Sequence, residues 1–203
     1  MDKRTFSRCL IALAAGLALT GASQAQQWKP SKPINIIVPW AAGGSTDQVT
    51  RLTAAELEKA LDQKIVIVNQ PGASGSIGTK GVWDAPKDGY TWAAGAAQDL
   101  GVYQALGMLD VPAKDWHLFL SVANVPVVGA HPGSPYQTMA QLIDAMKAKP
   151  GEVKVSTGGV ASSSFNAIEL IAKGAGVKYR HVPYDGGNPA VISTVAGETD
   201  VTT

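Results

Sequence analysis

The chain has 203 residues, 45% hydrophobic and 16% charged, with 22 Gly, 12 Pro and a formal net charge of +1. This composition is too apolar for a disordered chain and too mixed for a membrane bundle. The near-neutral balance excludes a global bias toward nucleic acid or an anionic membrane, and the length allows one large domain or two small ones.

Residues 1–25 read as a secretory signal peptide. Lys3, Arg4 and Arg8 form a basic start, "CLIALAAGLALTGA" is a short apolar run, and "SQA" offers the small residues of a cleavage site, so the cut falls after Ala25. A retained anchor is the alternative, but the run is too short to span a bilayer comfortably. Removal leaves 14 basic and 15 acidic residues and takes away Cys9, the one cysteine. Cys9 stands at the head of the apolar run, the wrong end for lipid attachment. The mature chain then has no disulfide, no thiol nucleophile and no Cys-ligated metal site.

Beyond the linker "QQWKPSK", β-branched runs alternate with helical patterns. "INIIVPW" (34–40) reads as a buried strand. A helix follows from about Thr46, with Val49, Leu52, Leu57, Ala60 and Leu61 roughly on one side. "IVIV" (65–68) is a second strand, "NQPGASGSIG" a Gly-rich turn, and a short helix spans about 77–84. After a turn at Lys87–Gly89 comes a strand, and "VPVVGA" (125–130) is another.

The clearest helix carries Met139, Leu142, Ile143 and Met146 at i, i+3, i+4 and i+7. Thr138 and Gln141 make its capping box, and Pro150–Gly151 stops it. "VKVST" (153–157) is a strand. Phe165, Ile168, Ala172 and Ala175 mark a helix ending near Gly174–Gly176, and "YRHVPY" (179–184) is a strand. Asn188 is expected to cap a helix with Pro189 at its first position and Gly197 past its end, before "TDVTT" starts a further strand. This alternation predicts parallel α/β architecture.

Several chemistries find no support. Gly72, Gly75 and Gly78 give G-x-x-G-x-x-G, not the dinucleotide G-x-G-x-x-G, and read as structural turn glycines. There is no Walker A pattern and no G-x-S-x-G elbow. "GVASSSF" is serine-rich, but His117, His131 and His181 are scattered, with no metal-ligand spacing and no evident partner for a serine nucleophile. His181, in a strand pattern, reads as a packed or edge-facing histidine. No catalytic residue, metal or cofactor is expected.

Two similar turns remain. "PWAAGGSTD" and "STGGVASSS" (156–164) each join a strand to a helix and place Gly-Gly and several hydroxyls at the helix N-terminus. Such an end carries unsatisfied N–H groups and the positive pole of the dipole. Ser45, Thr46 and Ser162–Ser164 are also ordinary N-caps. Facing each other across a cleft, the turns could grip a small anion. Neither contains Lys or Arg, which argues against phosphate and for a neutral grip. In this reading Trp40 is a wall, Ala41, Ala42, Gly43 and Gly44 supply N–H donors, and Ser45, Thr46 and Asp47 form the cap. Asp47 either caps the helix or touches a ligand amine or hydroxyl.

The stretches "PSKPINIIVPWAAGGSTDQVTR" (30–51), "VIVNQPGASGSIG" (66–78), "APKDGYT" (85–91), "AKPGEVKVSTGGVASSS" (148–164) and "HVPYDGGNPA" (181–190) occur in the order of a known family. The chain resembles the Bug family, the periplasmic solute-binding proteins of tripartite tricarboxylate transporters. The resemblance implies a periplasmic-binding-protein-like α/β fold of two lobes with a ligand cleft: lobe one over 26–124, lacking its C-terminal return, and an incomplete lobe two over 125–203. It implies a monomer that captures a small carboxylate (a di- or tricarboxylate, an amino acid or an aromatic acid) in the periplasm and presents it to a two-component membrane permease.

The family's P-x-x-x-G-G-x-x-D element falls on Pro39, Gly43, Gly44 and Asp47, and its second grip on Thr157, Gly158, Val160 and Ser162. Ala97, Tyr184 and Asp185 complete the expected contacts. The chain departs from the family at Phe165, where many members have histidine, at Asp185, where many have a basic or polar residue, and at Ala96–Ala97, where many have hydroxyls. These changes disfavour a highly anionic ligand, and Asp185 favours one carrying an amine. Members also run on well beyond this length, so the chain reads as truncated. Two further readings are a secreted serine-type hydrolase using one of Ser162–Ser164 and a carboxylate-sensing module for a membrane sensor.

Overall fold

The run of β-branched residues at 34–38 forms β1 (Ile34–Val38), whose inward side chains Ile34, Ile36 and Val38 are buried. The computed structural model describes residues 28–119 and 125–203. The expected signal peptide lies outside these residues, as does the expected lobe junction at 124. Residues 31–203 form one unit that holds two sheets.

The first sheet is built by α1 (Ser45–Leu61), β2 (Ile65–Asn69), a 3-10 turn (Ala73–Gly75), α2 (Ser76–Asp84), β3 (Thr91–Ala93) and α3 (Ala97–Ala105) around β1. Its order is β2-β1-β3, all parallel, with Ile34 opposite Ile65 and Ile36 opposite Trp92. Ile34, Ile36, Ile65 and Ala54 form its core, with Leu57 and Leu61 packed against them. The buried face of α1 is Asp47, Thr50 and Ala54. The expected apolar face is therefore wrong at Leu52, which is 73% exposed. Helix α3 was not read from the sequence, because Gly101 and an alternation of small, polar and apolar residues blur its period.

The glycines of the 69–78 turn are structural. A Cβ on Gly78 would lie 2.6 Å from the Gln70 carbonyl oxygen and 3.0 Å from Pro39, so only glycine lets α2 pack this close.

The second sheet comprises β4 (Gly129–Ala130), α4 (Met139–Ala148), β5 (Lys154–Thr157), α5 (Ser163–Ala175), β6 (Arg180–Pro183), α6 (Gly187–Val195) and β7 (Val201–Thr202), in the order β4-β7-β5-β6. Strands β5, β6 and β7 are parallel, whereas β4 runs antiparallel to β7, which corrects the all-parallel expectation. The expected strand at 125–130 shrinks to two residues, because only Gly129 and Ala130 find a partner, and Val125 is left 79% exposed. Leu142, Met146, Val153, Val155, Ile168 and Val201 make the core beneath. A third cluster, Leu100, Tyr103, Leu109, Val111 and Ala161, ties the segment following the first sheet to the turn ahead of α5.

The capping box at α4 forms as the sequence implies. Gln141 N–H donates to Thr138 Oγ1 at 3.3 Å, and Thr138 N–H to Gln141 Oε1 at 3.2 Å. Asn188 does not cap α6. Gly186 holds that position, and Asn188 lies inside the helix with its side chain turned elsewhere.

Candidate functional site

The turns at the carboxyl ends of β1, β5 and β6 meet, which is where open α/β sheets place ligands. Ala41 N–H donates to the Asp185 carbonyl at 2.8 Å. Asn188 Nδ2 donates to the Ala42 carbonyl at 3.1 Å, and its amide lies against Gly43. Gly186, at φ +136°, is the node of this meeting. A Cβ there would stand 3.0 Å from Ala41 N, and Gly158 packs on its other side. A side chain at that position would be strained and would hold the turns apart.

Asp47 is 3% exposed. Its Oδ2 accepts from Gly43 N–H at 2.9 Å and Arg51 Nε at 3.0 Å, and its Oδ1 from Asn69 Nδ2 at 3.0 Å and Arg51 Nη2 at 2.9 Å. These four donors saturate the carboxylate. The Arg51 guanidinium first, then the Gly43 and Asn69 donors, overcome the opposing cost of burial and hold its carboxyl at about 2. Asp47 thus supports the turn, and the Gly43 N–H expected as a ligand donor is bound to it. Trp40, expected as a wall, is buried with its ring against Gly75. Ser45 opens α1, and Ala42, Gly43 and Ser45 are exposed. Gly44 is buried close to the backbone N of Gly187 and Asn188, and Thr46 accepts the Thr50 hydroxyl at its carbonyl.

The second turn braces itself. Gly158 N–H donates to Ser164 Oγ at 3.2 Å, and Gly159 N–H to Thr157 Oγ1 at 3.1 Å. Ser162 caps α5 by accepting from Phe165 N–H, donates to the Gly159 carbonyl at 2.7 Å and pairs with Ser164 Oγ at 2.9 Å. The expected contact at Ser162 is therefore an internal strut. No histidine lies on it: His181 Nε2 bonds Thr157 Oγ1 instead, at 2.7 Å.

Beside this junction opens a cavity of about 520 Å³. One side is Ala73, Ser74 and Met108. The other is Gly159, Val160, Pro183, Tyr184 and Asp185. Of the expected contacts, Val160, Tyr184 and Asp185 line it. Trp40 to Asp47, Thr157, Gly158 and Ser162 stand behind or beside it, and Ala97 is exposed at the start of α3. Asp185 is the charged residue among these walls. Tyr184 donates its hydroxyl to Ser193 Oγ at 2.6 Å, which fixes its ring. Ser74 is held by its carbonyl, which accepts from Tyr103 OH at 2.8 Å.

Sequence reasoning missed Ala73, Ser74, Met108, Gly159 and Pro183 of the cavity wall, and Gly186 and Asn188. A signal existed for the last two: "DGGN" at 185–188 is a third Gly-Gly before a helix, equivalent to the two that were singled out. Ser74 had a weaker one, as the residue inside the Gly72–Gly75 turn.

Two sheets, strand-end turns that converge and a cavity walled from both sides give an α/β fold of the periplasmic-binding-protein type. The model for the tripartite tricarboxylate transporter family receptor matches residues 49–203. The chain belongs to this family, which includes the Bug proteins. It is 33% identical over 199 residues to the UPF0065 protein in the tcbD-tcbE intergenic region of Pseudomonas sp. (strain P51), covering 92% of this chain and 58% of that protein. It is 31% identical over 175 residues to Protein BugT of Bordetella pertussis, covering 83% of this chain and 53% of that protein. Among solved structures, R. palustris Rpa4515 with adipate matches with a TM-score of 0.76 and 30% identity, over 85% of this chain and 58% of that one. The chain thus spans between a half and three fifths of the length of these proteins. The family model is described as that of a receptor, and Rpa4515 was solved with adipate.

Proposed function

We propose that the protein is a periplasmic receptor, exported by the signal peptide at 1–25, that captures a small carboxylate and presents it to the two-component membrane permease of a tripartite tricarboxylate transporter. In this reading lobe one covers 26–124, lobe two 125–203, and the receptor acts as a monomer. The observation that carries it is the cavity of about 520 Å³, walled from both sheets, with no Lys or Arg among its lining residues. Its size falls within the range of small-molecule sites. A carboxylate held there meets hydroxyls and backbone N–H groups rather than a cation. The Asp185 carbonyl on Ala41 N–H supports the same reading, because it occupies that donor as a carboxylate oxygen would. Parting of the clasp at Gly186 and Asn188 would free the first turn for a ligand, in a hinge motion.

Asp185 argues for a ligand that also carries an amine. A thermal-shift panel of mono- and dicarboxylates with and without an amino group tests both points. A bound carboxylate at a hundred times its dissociation constant raises stability by about 2.7 kcal/mol. Asp185→Asn is expected to weaken the amine-bearing ligands and spare the others. No shift with any carboxylate would remove the receptor reading, and an unchanged preference in Asp185→Asn would remove the amine.

A further inference from the structure

Behind the cavity wall lies a chain of three groups that the receptor reading does not use. His181, on β6, places Nε2 2.7 Å from Thr157 Oγ1. Thr157 is fully buried, and its Oγ1 accepts the Gly159 N–H at 3.1 Å. Gly159 lines the cavity, with Ser74 packed against it from the other side. The imidazole itself is clamped. Its ring packs at a tilt on Phe165 with centroids 4.5 Å apart, and the Tyr179 ring lies edge-on with its centroid 6.5 Å away.

We propose that His181 is a positioning residue for the second turn: its neutral ring orients the Thr157 hydroxyl, and that hydroxyl holds the Gly159 N–H and with it the wall of the cavity. The proposal rests on the receptor reading only for its functional meaning. A hydroxyl has one proton to give and two lone pairs to fill. With His181 neutral and its proton on Nδ1, Thr157 O–H donates to Nε2 and Oγ1 is free to accept from Gly159. When His181 takes a second proton, Nε2–H must itself donate to Oγ1. The Thr157 proton then has to turn away inside a fully buried site, and an unmet buried donor is costly. Oγ1 can still accept from both Nε2–H and the Gly159 N–H, so the cost of protonation is the stranded Thr157 proton, and it destabilises this arrangement of the turn.

The surroundings favour the neutral ring. Burial pushes the His181 pKa below its ordinary value, and the charge of Glu169 on α5 pulls it partly back. Glu169 also accepts the Tyr179 hydroxyl, so these two titratable groups beside the ring, on α5 and just ahead of β6, are paired with each other. The turn is thus favoured with the ring neutral and destabilised in acid.

Amide NMR on the full chain without ligand tests this. In the wild type, the Gly159 amide shift is expected to follow the His181 ring as pH falls from 8 to 5. His181→Phe keeps the stack on Phe165 but removes the acceptor. Its Gly159 amide is expected to exchange with solvent on the order of tenfold faster than wild type at one pH, the effect of losing one buried hydrogen bond, and to show no titration. His181→Gln, whose amide can still reach Thr157, is expected to restore slow exchange without the titration. A Gly159 amide that stays fixed while the His181 ring titrates would overturn the proposal, as would wild-type exchange in His181→Phe. If His181→Phe fails to fold, the wild-type titration and His181→Gln decide. None of these readouts needs a carboxylate, so this proposal and the receptor reading can fail separately.

Discussion

Asp47 and Asp99 are both buried in the first turn of a helix, and their neighbours drive them in opposite directions. Asp47 has four donors and titrates at about 2. Asp99 is 4% exposed, its Oδ1 has no partner among the described residues, and burial raises it to about 7, against the smaller pull of the Ala96 N–H. The signs follow from linkage. Asp47 lies below the ordinary 3.8, so its contribution, about 1–2 kcal/mol after screening of the half-exposed Arg51, is present above pH 4 and lost as pH falls toward 2. Asp99 lies above 3.8, so its folded form prefers the proton, and stability falls as pH rises from about 4 to about 7. Asp99→Asn, neutral throughout, is expected to be more stable than wild type at pH 8 by about 2–4 kcal/mol and close to it at pH 4. Urea unfolding at the two pH values checks this, and equal stability at pH 8 would show that Asp99 is not held protonated.

At the scale of elements, legibility tracked how much of the signal is local. Helix α4 was readable because its cap, its period and its stop lie within a dozen residues. Thr138→Ala is expected to cost about 1 kcal/mol, whereas Gly78→Ala is expected to cost more, since its Cβ would press on a backbone oxygen rather than lose a cap. Chemical denaturation of the two variants ranks them. What failed was set by distant partners. Leu52 points to solvent because the faces of α1 are decided by how Asp47 and Thr50 seat against the sheet. Val125 and Val127 look like strand residues, but only Gly129 and Ala130 meet β7. Asn188 is of a type favoured at N-caps, but it lies inside the helix and its side-chain amide donates to the Ala42 carbonyl, 146 residues away in sequence.

At the scale of the molecule, both Gly-Gly turns were legible as strand-to-helix junctions, and they do come near each other. Their division of labour was not legible. The sequence suggested that the donors of both turns face a ligand, whereas many of them bind the protein itself: Ala41 to Asp185, Gly43 to Asp47, Gly158 to Ser164 and Gly159 to Thr157. A polar turn buried between two sheets must satisfy its own groups, and no local pattern says which groups are spent in this way. The cavity accordingly sits to one side of the first turn, between Ser74 and the residues from Gly159 to Asp185. The central claim, that a carboxylate binds in this cavity, is tested most directly by mapping amide shifts on adding the carboxylate with the largest thermal shift. The account predicts changes clustered at residues 73–75, 158–160 and 184–187, with Ala41 following as the clasp responds. Saturable binding that leaves those amides unmoved and perturbs another surface would contradict it.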